Sequence, residues 1–296
     1  MPWIIFTLFV MLLAQPTCAA STGRTPIAVV QHPSGWPLAI IAVAKSKGPL
    51  VLNFDTGARL NLLFLSAGES FQALTDVSIP GALQKVAAPE FLGDTLERVD
   101  VELVLAGARY SVPVAVVRLP GKRIGPRVTL GIAFFLGRAI TLDFSSLSLS
   151  ISNIDEATHG DKGAANSRSV SWKDGRFSVD VGGTDYVLDT GVLHADILQF
   201  SALADMLARP PLETIVLPGP LGEVICTLPR VGGPRAGLIS SEPYVSTCAF
   251  LRDSSHVPKF SVVGLRSLIE KKSTVTIQLP VSAASKEDNG FIHIRE

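Results

Sequence analysis

Apolar and polar positions along the chain alternate in short bursts of β-strand length. "LAIIAVAKSKGPLVLNFD" (38–55) is two strand-like runs around a Lys-Ser-Lys-Gly loop. "FSVDVGGTDYVLD" (177–189) is two more around Gly-Gly, the chemistry of a tight hairpin turn. "ERVDVELVLAGARYSVPVAVVRL" (97–119) repeats the design around Ala-Gly-Ala. Two short helix-length segments, "IAFFLGR" (132–138) and "LRSLIEK" (265–271), each follow a glycine and precede another strand-like run. The pattern predicts a mainly β protein with one short helix in each half.

The halves also share landmarks. Asp-Thr-Gly ends an apolar run at "VLNFDTGARLNLLF" (51–64) and again at "YVLDTGVLHADIL" (186–198), placing Asp55 and Asp189 134 residues apart. Further on, "VTLGIAFFLGRAITLDF" (128–144) superposes without a gap on "SVVGLRSLIEKKSTVTIQL" (261–279) when Gly131 is set on Gly264, a shift of 133. Two landmarks in one order at nearly the same spacing indicate an internal duplication. Between the copies, "SNIDEATHGDKGAANSRS" (152–169) is polar, small-residue-rich and without periodicity. The division expected is therefore a leader at 1–20, a first unit at 21–152, a linker at 153–169, a second unit at 170–281 and a polar tail at 282–296.

Composition narrows the classes. Of 296 residues, 47% are apolar and 18% charged, enough to build a core and unlike a disordered chain. Lys plus Arg balances Asp plus Glu at 26 each with no basic run, which argues against a nucleic-acid partner. "WIIFTLFVMLLA" (3–14) followed by small residues resembles a secretory signal, short for a membrane span, although an uncleaved N-terminal anchor is the rival reading. Export, to a periplasm or outside the cell, is the expectation. Cleavage after Ala19 or Ala20 would remove Cys18 and leave Cys226 and Cys248, as one disulfide or as two buried thiols; an oxidising compartment favours the bond. The five histidines are scattered with no metal-binding spacing, so neither a metal nor a cofactor is expected.

A carboxylate at the end of an apolar strand needs solvent, a partner or hydrogen bonds. The glycine after Asp-Thr permits a turn that brings backbone amides to that carboxylate. If the copies are related by a twofold axis, Asp55 and Asp189 meet, and like charges at about 3 Å share one proton. Such a pair can deprotonate a water with one member and polarise a carbonyl with the other, hydrolysing an amide without metal or covalent intermediate.

These elements, "FDTGARLNLLF" with "TLGIAFFLGRAITLDF" and "LDTGVLHADIL" with "VVGLRSLIEKKSTVTI", resemble the paired signatures of aspartic proteases. The phrasing is similar to the retropepsin branch, whereas two lobes in one chain is the pepsin arrangement. The resemblance covers most of 25–280. It implies a mainly β, bilobal fold with pseudo-twofold symmetry, a polypeptide substrate and a monomeric endopeptidase. Asp55 and Asp189 would be the catalytic dyad. Thr56 and Thr190 would bind the two loops together, Gly57 and Gly191 would shape the turns, and Leu130-Gly131 and Val263-Gly264 would cross beneath them. A flap is expected within 77–92, with Pro80-Gly81 as its turn and no Tyr of the pepsin kind. Ala58 and Val192 stand where pepsins carry a hydroxyl, which implies a working pH nearer neutral than pepsin's.

A second class of function is a catalytically silent peptide- or protein-binding module on the same fold. Outside the dyad, Asp143 and Asp196 read as turn or surface carboxylates, His194 as a surface or loop residue, and Phe134-Phe135 as core.

Overall fold

The computed structural model describes residues 23–280 and 290–296, apart from positions 32, 34, 46–48, 70–83, 88–94, 120–125, 154–166, 174–175, 209–213, 220–221, 233–236, 239–241, 252–256 and 259. The protein is mainly β. The first half carries β1 (Arg24–Gln31), β2 (Pro37–Lys45), β3 (Pro49–Phe54), β4 (Leu62–Leu65), β5 (Gln84–Ala87), β6 (Thr95–Leu105), β7 (Ala108–Arg118), β8 (Val128–Leu130), α1 (Ile132–Phe135), β9 (Arg138–Asp143) and β10 (Ser148–Asn153). The second carries β11 (Ser167–Lys173), β12 (Arg176–Val181), β13 (Thr184–Leu188), β14 (Ile197–Phe200), α2 (Leu203–Leu207), β15 (Thr214–Gly219), β16 (Gly222–Thr227), β17 (Arg230–Val231), β18 (Tyr244–Phe250), β19 (Val262–Val263), α3 (Arg266–Glu270), β20 (Thr274–Gln278) and β21 (Gly290–Arg295).

Turn chemistry sets the registers. Gly182 and Gly183, at φ +63° and +78°, close the two-residue turn of the β12–β13 hairpin, a conformation that excludes most side chains. That turn pairs Val181 with Thr184 and carries the ladder down to Ser178–Val187.

Two sets of four strands pair alike. In the first half β8 lies parallel to β3 and antiparallel to β4, and β4 runs parallel to β7. In the second, β19 lies parallel to β13 and antiparallel to β14, and β14 runs parallel to β18. The halves are joined edge to edge through the order β1–β10–β9–β20–β21–β11, all antiparallel. In this shared sheet Leu142 faces Val275 directly, and the hydroxyls of Thr141 and Thr276 bond at 2.8 Å.

One core runs through both halves, including Phe54, Phe134, Phe135, Phe144, Leu188 and Ile277. Phe134 and Phe135 are buried core, as the pattern implied.

Three expectations change. The segment 282–296 is not a polar tail throughout, because Gly290–Arg295 is a strand paired on both edges, with β20 and β11. Its alternation "FIHIR" buries Ile292 and Ile294, a period-two signal masked by the polar residues before it. The linker assigned to 153–169 is shorter, since Asn153 and Ser167–Ser169 belong to strands. The second half also holds α2, a helix not anticipated from the sequence. Among the described residues no helix is long and apolar enough to cross a membrane; the leader expected at 1–20 lies outside them.

Candidate active site

Strands β3 and β13 each stop one residue short of an aspartate. The amide of Asp55 bonds the carbonyl of Leu130 at 2.9 Å, and that of Asp189 bonds the carbonyl of Val263 at 3.1 Å. The next residues, Gly131 and Gly264, pass directly under the two loops. A Cβ on Gly131 would collide with the carbonyl oxygens of Ala58 and Leu60, and one on Gly264 with those of Val192 and Ala195. The loops are fixed to that crossing chain by bonds from the Ile132 amide to the Ala58 carbonyl (2.8 Å) and from the Leu265 amide to the Val192 carbonyl (3.0 Å). Leu130 and Val263 are fully buried and anchor the crossing strands in the core.

The two loops grip each other. The Thr56 amide donates to Oγ1 of Thr190 and the Thr190 amide to Oγ1 of Thr56, both at 3.0 Å. Each hydroxyl then donates across the boundary, Thr56 to the carbonyl of Leu188 (2.9 Å) and Thr190 to that of Phe54 (3.1 Å). Both threonines are fully buried, so each bond replaces one that water would otherwise make. Residues 134 positions apart are thereby held at hydrogen-bonding distance.

This grip brings the carboxyl groups together. Asp189 shares a side-chain hydrogen bond with Asp55. A Cβ on Gly57 would lie 2.5 Å from Cγ of Asp189, and one on Gly191 2.8 Å from Cγ of Asp55, so each loop's glycine leaves room for the other's carboxyl group. Their surroundings differ. Oδ1 of Asp55 accepts two amides, from Gly57 (2.9 Å) and Ala58 (3.1 Å), whereas Oδ1 of Asp189 accepts that of Gly191 (2.7 Å). Burial, then the neighbouring charge of Asp55 and the hydrogen bond to it, push the Asp189 carboxyl well above the ordinary carboxylate range; the Gly191 amide and the Arg176 guanidinium oppose the shift. Two carboxyl groups this close and this buried favour holding a single proton between them.

Supporting polar residues lie beneath. Asn61, buried, accepts the Gly131 amide on Oδ1 and donates from Nδ2 to the Pro113 carbonyl. In the second half Asp196 accepts the Ser267 amide and hydroxyl (both 2.7 Å) and the Tyr244 amide (2.9 Å). Asp196 is thus no surface carboxylate: at 3% exposure it ties β18 to the first turn of α3, its burial compensated by three donors. Asp143 is the turn residue expected, accepting from Ser145 and Ser146.

His194 is a loop residue but a buried one, whose Nε2 has no hydrogen-bond partner. Burial, aided by the Arg266 charge, lowers its pKa to about 4, so the ring is neutral near pH 7. It lies beside Cys226 and Cys248, its nitrogen and the two sulfurs all within 4.8 Å of one another. The sulfurs are bonded to each other across the β16–β18 rung, which resolves the two open readings of these cysteines in favour of a disulfide and leaves no thiolate there for a metal.

The flap turn expected at Pro80 and Gly81 lies outside the described residues. One neighbour of the dyad was not singled out from the sequence, Arg176. The β12–β13 ladder ends at Ser178–Val187, so that pairing does not carry Arg176 to Asp189 and no sequence signal announced it. A scan against protein-family models finds no match, and no curated protein matches the chain in sequence.

Proposed function

We propose that this chain is an aspartic endopeptidase that cuts polypeptides with the Asp55–Asp189 pair, in a bilobal single chain with pseudo-twofold symmetry. The observation that carries the reading is the reciprocal Thr56–Thr190 grip, which holds two carboxyl groups of one chain against each other. The twofold relation is supported by Leu142 and Val275. The 133-residue shift makes them equivalents, and they are direct partners in the antiparallel β9–β20 pair, as equivalents at a twofold axis must be.

In this mechanism Asp55 is the base, its charge held by the Gly57 and Ala58 amides. It takes a proton from a water between the two groups while the Asp189 acid donates to the scissile carbonyl oxygen. The water oxygen bonds to the carbonyl carbon, giving a tetrahedral diol. Its collapse breaks the C–N bond as a proton passes to the departing nitrogen, and the pair regains its starting state. Val192 brings no hydroxyl to Asp189, which keeps that acid protonated toward neutral pH and supports a less acidic working range than pepsin's. The disulfide is compatible with export and with action outside the cytoplasm as a monomer, the lobes supplying one aspartate each.

The deciding measurement is cleavage of an unfolded protein by the purified chain. Asp55→Asn, Asp189→Asn and pepstatin should each abolish it. A folded chain that binds peptides without cutting them would instead establish the silent binding module.

A further inference from the structure

A second group of chemically active side chains lies in the second half, apart from the dyad. Cys226 on β16 and Cys248 on β18 are directly opposed in an antiparallel ladder, so both side chains project to one face of the sheet. A ring nitrogen of His194 and the two sulfurs all lie within 4.8 Å of one another. The three residues are buried, His194 at 5% exposure and the cysteines at 0% and 1%. Nε2 of His194 has no hydrogen-bond partner, which for a nitrogen this deep calls for an explanation. In the oxidised chain the sulfurs bond each other and cannot hold a cation. Once that bond is opened, the same atoms are two thiolates and an imidazole, the donor set of a zinc site. Zinc bonds of about 2.3 Å to sulfur and about 2.0 Å to nitrogen, tetrahedrally arranged, keep such atoms about 3.5–3.8 Å apart. That is inside the span observed. The Ser246 hydroxyl stands 4.0 Å from the Cys248 sulfur and donates its proton to the Thr227 carbonyl at 2.8 Å, leaving an oxygen lone pair for a fourth position. Charge fixes the kind of cation. Two thiolates and Zn2+ sum to zero, whereas a monovalent ion would leave a buried charge uncompensated. Arg266, which bonds the His194 carbonyl, is already paired with Glu270 at 2.9 Å and adds no net charge.

We propose that His194, Cys226 and Cys248 form a redox-gated zinc site, closed by the disulfide in the oxidised chain and opened when a dithiol reduces it. The dithiol gives two electrons and two protons to the Cys226–Cys248 bond and leaves as its own cyclic disulfide. Zn2+ then displaces the two thiol protons and bonds both sulfurs and the imidazole lone pair. Because the cysteines are buried, reduction and metal capture take place as the chain opens and refolds around the site, which links zinc binding to folding. Zinc replaces the lost covalent brace between β16 and β18. The site stands apart from the endopeptidase reading and is tested without turnover.

For the test, the full chain is reduced with a phosphine in urea and refolded without oxygen in the presence of Co2+ or Zn2+, beside oxidised chain carried through the same steps. Cobalt should give the thiolate charge-transfer and visible bands of a tetrahedral sulfur site, and added Zn2+ should bleach them. Competition with a chromogenic chelator should find one tightly held zinc in the reduced chain and none in the oxidised one. His194→Gln, which keeps both thiols, should weaken zinc binding by about 100-fold or more, since losing even an outer partner of a ligand costs up to that much. Cys226→Ala/Cys248→Ala keeps Cys18 and every histidine and should hold no zinc. Circular dichroism verifies the fold of each variant, and the comparison of reduced with oxidised wild type decides alone if one does not fold. A reduced chain that takes no zinc, or that cannot refold with zinc present, overturns the site. So does equal zinc binding by the oxidised chain or by folded His194→Gln, or uptake of Cu+ in place of Zn2+.

Discussion

Thr56 and Thr190 exchange hydrogen bonds reciprocally, the amide of each donating to the hydroxyl oxygen of the other at 3.0 Å. Neither loop can adopt its shape without the other, because each hydroxyl serves one donor and one acceptor of the opposite loop. Thr56→Val keeps the volume and strands a buried amide and a buried carbonyl, which should cost about 2–5 kcal/mol in urea unfolding. Thr56→Ser, which keeps the hydroxyl, should cost only about 1 kcal/mol for the lost methyl group. The two singles remove different bonds, but both act on one loop–loop contact, so the Thr56→Val/Thr190→Val pair should be clearly non-additive.

Gly57 and Gly191 test the closeness of the carboxyl groups. A methyl at either position would strike the opposite aspartate. Gly57→Ala and Gly191→Ala should each lower cleavage by about 100-fold or more through a displacement on the ångström scale. Full activity in both variants would contradict the placement of the pair.

The raised pKa of Asp189 gives stability a definite sign with pH. Its folded carboxyl holds a proton that the unfolded chain releases near the ordinary value of 3.8. Stability from this group is complete below that value and is lost as pH rises through the folded pKa. Asp189→Asn removes the buried charge and should raise the thermal midpoint, by more at pH 8 than at pH 4. Midpoints recorded across that range provide the check.

His194 acts in the opposite direction. With a folded pKa of about 4 against 6.5, it stays neutral while the unfolded chain takes up a proton. Folding is therefore weakened as pH falls from 6.5 toward 4, by about 3 kcal/mol at the low end. His194→Gln should flatten that part of the curve in chemical denaturation. An unchanged slope would mean the ring is not held neutral.

The Cys226–Cys248 bond closes a loop with a sequence separation of 22. Chain-entropy arguments give its removal a cost of about 3 kcal/mol. Cys226→Ala/Cys248→Ala should show that loss without moving the dyad, so cleavage per folded molecule should be retained while the urea midpoint falls.

What could be read from the sequence was whatever local chemistry encodes. The hairpins at Gly182-Gly183 and Ala106-Gly107 and the short helices after Gly131 and Gly264 follow from turn residues and periodicity, and they appear where expected. Polarity misled where tertiary partners supply what water would. Asp196 is hidden because Ser267 and Tyr244 bring three donors to it, and no spacing rule announces partners 48 and 71 residues away. His194 is hidden among the disulfide and the core with one nitrogen unpartnered, against every expectation for a loop histidine. β21 escaped because a strand of six residues after a long polar run has little to separate it from a tail.

The ribbon shared by the two halves constrains how the molecule can be made. β9 is flanked by β10 on one edge and by β20 on the other, and β21 fills the gap between β20 and β11. During synthesis the first half must wait with an open strand edge until Thr274–Gln278 have been translated, and β11 waits longer still, for Gly290–Arg295. Such late closure makes the nascent chain slow to mature and sticky in the interval, with β20 sealing the edge of β9 and β21 sealing those of β20 and β11.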